Sequence, residues 1–214
     1  MDGNGRWGIS KKKSRNFGHL AGVKTVKKIV EESAKLNIPN ISLYVFSSEN
    51  WNRPIAEVKY LFDLIDIYFK KEIDKIIKNN IKIIVTGRVK MLPSKLRKIL
   101  KKVIQKTKKN KQLTINLAIN YGSRNEIADA AVSLKKKNKK ITATSIGTNL
   151  YSNMPEPDIL IRTGGQKRLS NFMLWQISYT ELFFTDKLWP DFNKNDLRKI
   201  IKKFHKIKRN FGGI

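Results

Sequence analysis

The 214-residue chain contains no cysteine, which excludes disulfides and thiolate-held zinc or iron–sulfur clusters and fits a reducing compartment. No apolar run approaches the roughly 18 residues of a membrane helix, and no signal-peptide pattern leads the sequence; a soluble cytoplasmic protein is the expectation. Neither a P-loop (G-x-x-x-x-G-K-S/T) nor a G-x-G-x-x-G fingerprint follows any expected strand, so ATP and dinucleotide chemistry lose their main support. Acidic residues are scarce: 17 Asp+Glu face 45 Lys+Arg, a net charge of +28. That balance predicts attraction to polyanions, whether nucleic acid, anionic lipid or phosphorylated metabolites, and its sign alone does not choose among them. Arginine is scarce too, ten residues against 35 lysines. Lysine runs such as Lys11–Lys13 and Lys135–Lys137 read as solvated surface, whereas arginine suits fixed bidentate contacts with phosphate. Recognition is therefore sought at Arg6, Arg15, Arg53, Arg162 and Arg168, each beside glycine, histidine, aromatic or asparagine clusters.

The length and a hydrophobic content of 40% suit one domain, residues 1–214, without internal repeats or a domain-separating linker. Apolar residues recur at helical spacing from His19 to Leu36, from Ile55 to Asn79, over 93–107 and over 124–134, and Leu197, Ile200, Ile201, Phe204 and Ile207 mark a last helix. Between them, 40–47, 81–87, 112–119 and 157–165 read as strands, the last ending in a glycine turn. Strict alternation predicts an α/β layer protein with a mostly parallel central sheet flanked by helices. Ligands then bind beyond the strands' carboxyl ends, here in the loops FSSENWNR (46–53), NYGSR (120–124) and RTGGQKRLSN (162–171). KKKNKK (135–140) reads as an exposed loop.

The opening MDGNGRWG crowds Asp2, Gly3, Asn4, Gly5, Arg6 and Trp7 together. Glycines permit close approach of an anion to backbone amides, and an aspartate beside such a site makes sense with a hard cation such as Mg²⁺ between them; a flexible terminal turn is the plain alternative. Arg15 and His19 precede and enter a helix, another place favoured by phosphate. RTGGQKRLSN adds Arg162, Arg168 and Ser170 around two glycines, enough donors for one diphosphate. The FSSENWNRP loop offers Ser47, Ser48, Glu49, Asn50, Trp51 and Arg53, with Glu57 one turn into the next helix as a partner for a loop arginine. Glu181 in YTELFFTD is a carboxylate in an apolar setting, ordinarily a structural acid.

Taken in order, MDGNGRW, RNFGH, FSSENWNRP, RTGG-x-x-R-x-SNF-x-LWQ, Glu181 and WPDF (189–192) resemble the signature segments of the cis-prenyltransferases, the Z-isoprenyl diphosphate synthases, most closely their bacterial undecaprenyl diphosphate synthase branch. The resemblance implies a homodimeric enzyme that adds isopentenyl diphosphate to an allylic diphosphate such as farnesyl diphosphate. It uses Mg²⁺, and its undecaprenyl product is a precursor of the lipid carrier for cell-wall synthesis. By resemblance Gly3, Asn4, Gly5, Arg6, Trp7, Arg15 and His19 hold the allylic substrate, and Arg162, Arg168, Leu169 and Ser170 hold isopentenyl diphosphate. Asp2 is then the essential metal-associated acid and Glu181 the second. Asn50 and the neighbouring serines stand near the proton-removal step, and Phe46, Trp51 and Arg53 belong to a loop that closes over substrate. The apolar stripe of the 55–79 helix lines a product tunnel.

Two departures stand out. Gln166-Lys167 follows RTGG where relatives usually carry glutamate and often histidine, which puts a supporting carboxylate and an auxiliary metal contact in doubt. Relatives also place an apolar strand before the MDGNGRW motif; the expectation is that this strand is missing here and that Asp2 is less well ordered than Arg162 or Arg168. Two rival readings accompany the enzyme: a nucleic-acid-binding protein, motivated by the charge, and a non-catalytic family member supporting an active partner. The intact set Asp2, Asn50, Arg162, Arg168 and Glu181 argues against the second, and lysine-rich surface gives no base readout, so no sequence-specific nucleic acid is expected. Peripheral contact with an anionic membrane is a further use for the charge.

Overall fold

A computed structural model describes residues 1–210; positions 211–214 of the expected domain lie outside them. In chain order the elements are α1 (Asn4–Ser10), α2 (Arg15–Lys35), β1 (Asn40–Ser47), α3 (Ile55–Lys78), β2 (Ile81–Thr86), α4 (Ser94–Thr107), β3 (Leu113–Tyr121), α5 (Ser123–Lys136), α6 (Ala143–Thr148), β4 (Ile159–Arg162), β5 (Glu181–Phe184) and α7 (Lys194–Phe204). They pack as two compact units. The first comprises Met1–Ser33, Pro155–Leu169 and the chain from Gln176 onward; the second comprises Ala34–Met154 and Ser170–Trp175.

In the second unit β3 lies between β1 and β2 and runs parallel to both, with Asn40 opposite Thr114 and Ile81 opposite Leu113. Nearly every residue of β3 is buried, as a parallel strand covered on both faces requires. Asn116, one of its two buried asparagines, is satisfied across the sheet: Thr86 Oγ1 donates to its Oδ1 at 3.0 Å and its Nδ2 donates to Ser42 Oγ at 3.2 Å. Helices α3 and α4 pack on each other and on β2. Pro54 and Pro93 immediately precede them, where a missing backbone N–H breaks no helical bond. Leu96, Leu100, Val103 and Thr107 form the buried face of α4.

In the first unit β4 and β5 run parallel, Ile159 opposite Glu181 and Arg162 opposite Phe184. Its core gathers Ile29, Trp189, Phe192 and Leu197, with Val26, Ile161, Ile200 and Ile201 against them. Trp189 Nε1 donates to the Gly22 carbonyl at 3.0 Å, and the buried Glu32 carboxylate accepts from Arg198 Nε at 2.5 Å. Asn193 starts α7 by accepting from the Asn195 and Asp196 amides.

The α/β expectation with parallel strands is met in each unit, and the differences have local causes. Asn4–Ser10 is a helix rather than a turn. Gly3, at φ 104°, starts it in the left-handed region, and Gly5 and Gly8 give α1 a flat side. A Cβ on Gly5 would stand 2.7 Å from Arg15 Cζ, and one on Gly18 of α2 would meet the Asn4 carbonyl, so α1 and α2 pack backbone to backbone. Helix α2 begins at Arg15, ahead of His19, and α7 stops at Phe204, leaving Ile207 beyond it. Lys135 and Lys136 complete α5 before the exposed stretch that follows.

Candidate active site

The first unit gathers most of the charged groups marked in the sequence. Asp2 follows no helix of its own; its backbone is held by Thr163, whose Oγ1 accepts from the Asp2 amide at 3.0 Å and donates to the Asp2 carbonyl at 2.9 Å. The Trp189 amide donates to the same carbonyl at 2.9 Å. Asp2 is thus pinned to the end of β4 and to the WPDF segment. Its side chain meets two arginines, Arg162 Nη2 at 3.0 Å from Oδ2 and Arg6 Nη2 at 3.3 Å from Oδ1. Burial works to raise the carboxyl's pKa, but the hydrogen bond from Arg162 and the charges of Arg6 and Arg162 outweigh it and hold the group below the ordinary aspartate value.

The RTGG turn explains its own glycines. Gly164 and Gly165 have φ 91° and 77°, and a Cβ on Gly164 would lie 2.5 Å from Arg6 Nη2, so the turn admits the guanidinium. Their amides are not free for a ligand: Gly164 N donates to the Lys187 carbonyl at 2.8 Å and Gly165 N to the Thr185 carbonyl at 3.0 Å. The donors at this turn are therefore guanidiniums. Arg162 Nη1 donates to the Arg168 carbonyl, and Arg168 Nη1 to Gln166 Oε1 at 2.6 Å. Gln166 keeps a support for Arg168 without a charge. Arg168 is exposed and Leu169 half-buried.

Around α1, the Arg15 guanidinium lies against Gly5, and His19 is buried one turn into α2. Asn4 lies over Gly22, with Nδ2 donating to the Met1 carbonyl at 3.3 Å and Oδ1 buried without a hydrogen-bond partner. Trp7 is fixed by Nε1 donating to Asp191 Oδ1 at 2.7 Å and by stacking on Phe17.

Glu181 is not brought to Asp2 within this unit. It opens β5 opposite Ile159, whereas Asp2 sits at the Arg162 end, three register steps or about 10 Å along the strand pair. Among the described residues no three His, Cys, Asp or Glu side chains cluster as a metal cage. A half-exposed single carboxylate flanked by arginines nevertheless fits Mg²⁺, which commonly binds through one or two carboxylates plus substrate phosphates.

The second unit holds the remaining marked residues, at the carboxyl ends of β1 and β3. The FSSENWNR loop is a tight 3-10 turn over Ser48–Asn52. The Ser47 amide donates to Asn50 Oδ1 at 3.1 Å, which fixes the Asn50 amide and leaves its Nδ2 to face elsewhere. Trp51 Nε1 donates to Asn120 Oδ1 at 2.8 Å, while its ring packs edge-on against Phe46 and Phe62. Asn120 Nδ2 in turn donates to the Arg88 carbonyl at 3.1 Å, and Arg88 grips Asp129 with two bonds of 2.8 Å. Arg53 pairs with Glu57 at 3.2 Å, the partner expected for a loop arginine. Ser170 and Asn171 both have positive φ. Tyr44 Oη donates to the Ser170 carbonyl at 3.3 Å, and Asn171 Nδ2 donates to Glu49 Oε1 at 2.8 Å. Ser48 and Asn171 close over Gly122, where a Cβ would lie 2.6 Å from Asn171 Nδ2. Loops distant in sequence thus meet here through asparagine, and Asn120, Asn171 and, in the first unit, Thr163 are the residues that sequence reasoning passed over. Asn120 and Asn171 carried a signal as asparagines inside glycine-containing loops; Thr163 carried none.

A cleft of about 340 Å³ lies between α3 and α4, lined by Trp51, Ile55, Val58, Phe62, Leu96 and Ile99 with charged groups at its edge. One of these, Asp66, is buried and pairs with Lys70 at 3.1 Å and with Lys95 of α4 at 3.3 Å.

Residues 1–212 match the Prenyltransf family model, that of the undecaprenyl diphosphate synthase family. An isoprenyl transferase of Fusobacterium nucleatum is 44% identical over 100% of this chain and 94% of its own length, and one of Rickettsia felis is 46% identical over 99% and 91%. Among solved structures, a probable undecaprenyl diphosphate synthase from Campylobacter jejuni superposes with TM-score 0.83 at 39% identity, covering 90% of this chain and 92% of that one. Lavandulyl diphosphate synthase from Lavandula x intermedia, in complex with dimethylallyl diphosphate, superposes at 0.94 with 29% identity over 100% and 95%.

Proposed function

The chain belongs to the Prenyltransf family of isoprenyl transferases, and from that premise we propose that it condenses isopentenyl diphosphate, in Z geometry and repeatedly, onto an allylic diphosphate such as farnesyl diphosphate. The observation that carries the proposal is Asp2, anchored by Thr163 and flanked by Arg6 and Arg162. Arg6, Arg15 and the flat glycine side of α1 suit one diphosphate, and Arg162 and Arg168 suit the other, because guanidiniums give charge-assisted forks to phosphate oxygens. Asp2 would hold Mg²⁺ together with substrate oxygens; the ion, when bound, draws charge onto the departing diphosphate. Leaving-group departure develops an allylic cation, so water must be kept away, a task suited to Trp51, whose ring is backed by the buried Phe46. Asn50 is assigned to orienting the isopentenyl unit as it loses a proton, and Ser47, Ser48 and Glu49 shape the turn that presents it.

The apolar α3–α4 cleft suits the growing hydrocarbon, and the product is proposed to be a long-chain polyprenyl diphosphate, undecaprenyl diphosphate by resemblance, used in building cell-wall lipid carrier. Both units form one catalytic domain in this reading, since a single family model runs through them. The active form is proposed to be a homodimer working in the cytoplasm. Glu181 has no place beside Asp2 of its own chain, and its metal role is kept only as an expectation from the family. The test is incubation with isopentenyl and farnesyl diphosphates and Mg²⁺, followed by chromatography of the prenyl products. A ladder of products longer than the primer supports the proposal; unchanged primer overturns it.

A further inference from the structure

Helix α4 divides sharply between its two sides. Leu96, Leu100, Val103 and Thr107 are buried, while Lys95, Arg97, Lys98, Lys101, Lys102 and Lys106 are all exposed, and the helix contains no acid. Among the described residues only Lys95 of this set forms an ion pair, with Asp66 at 3.3 Å and Asp63 at 3.8 Å. Beside this cationic face stand apolar side chains that water does not favour: Ile55 is 87% exposed at the cleft, Met91 65% just before α4, and Ile67 60% one turn beyond Asp63 on α3.

We propose that the solvent face of α4, with Ile55, Met91 and Ile67 beside the α3–α4 cleft, docks on an anionic lipid bilayer. A row of cations supplies attraction to anionic headgroups, and apolar side chains among them gain by entering the headgroup boundary. A nucleic acid would meet the same lysines but leave Ile55, Met91 and Ile67 in water, so the bilayer is the favoured partner. The apolar cleft opens in the same region, which would let a hydrocarbon product pass toward the membrane; that use rests on the prenyltransferase reading, whereas the docking surface stands on the charge and exposure alone.

The experiment is flotation of the full chain with vesicles of phosphatidylglycerol and phosphatidylcholine, or of phosphatidylcholine alone. Preferential binding to the anionic vesicles is expected. Lys98→Glu/Lys101→Glu/Lys102→Glu should weaken it by at least about 100-fold, since each lysine near an anionic surface is worth roughly fivefold. The matched variant Lys199→Glu/Lys202→Glu/Lys203→Glu on α7 makes the same change in net charge and should weaken binding far less. Met91→Asp should remove most of the binding that survives at high salt. Circular dichroism checks that each variant is folded. Equal losses from the α4 and α7 triples would mean diffuse attraction and overturn the surface; so would equal binding to both vesicle types, or α4-dependent binding to duplex RNA without vesicle binding. Prenyl product is assayed separately, so a chain that floats normally but makes no product refutes the enzymatic reading and leaves the docking surface standing.

Discussion

Arg162 Nη2 stands 3.0 Å from Asp2 Oδ2 although 160 positions separate the two residues. With Arg6 on the other oxygen, each half of the carboxylate faces a guanidinium. The two arginine sets marked in the sequence therefore share an acid between them.

Asp2→Ala should lower turnover by roughly 10² or more, as loss of a preorganised electrostatic contact does, while substrate binding survives better. Steady-state kinetics with both substrates varied checks this. Turnover at the parental rate would remove Asp2 from the chemistry.

Arg168→Ala should raise KM for isopentenyl diphosphate much more than KM for the allylic substrate. Gln166→Ala should do the same more weakly, because it loosens the Arg168 guanidinium without removing it. Equal effects on the two constants would contradict the division of substrates between the arginines.

Acid sensitivity should trace in part to Asp2. Its folded-state pKa lies below the ordinary value of 3.8 despite the opposing effect of burial, because Arg162 and Arg6 favour the ionised form. A depressed carboxyl pKa stabilises the fold above the unfolded value, and that stability is lost as pH falls through the folded value. Melting curves between about pH 5 and pH 3 should therefore fall less steeply for Asp2→Asn than for the parent. Parallel curves would mean that the two ion pairs contribute nothing measurable.

Asn120→Ala should destabilise the chain by about 1–3 kcal/mol, since it leaves Trp51 Nε1 without its partner and removes one of the two donors to the Arg88 carbonyl, which keeps the Met91 amide. It should also free the Trp51 ring, visible as a change in fluorescence anisotropy near that loop. An unchanged melting temperature with unchanged anisotropy would show that packing against Phe46 and Phe62 suffices to hold the tryptophan.

How far the sequence could be read depended on whether the signal was local. The helical periods of α3 and α4 and the apolar runs of β1, β2 and β3 lay within single segments, and their bounds agree with the structure to within a residue or two. Helix α1 was hidden because its glycines argue for a turn; they are helical only because α2 packs flat against them. The short strand β5 was hidden because ELFF lacks alternation and is defined by its pairing with β4. Motif order marked the charged groups but carried no distances, and so could not tell that Asp2 and Glu181 stand at opposite ends of one strand pair. Asn120 stood in a glycine-containing loop that marked it, but not its anchoring role, since its partners Trp51 and Arg88 come from two other segments.

The amide at Gln166 has a consequence for the conditions under which the chain works. A glutamate in that place would lose its grip on Arg168 as it protonated, whereas a carboxamide has no proton to gain across the range proteins tolerate. The posture of Arg168 is thus insulated from acidity, and acid acts on this turn through the carboxylate at Asp2 rather than through the support of Arg168.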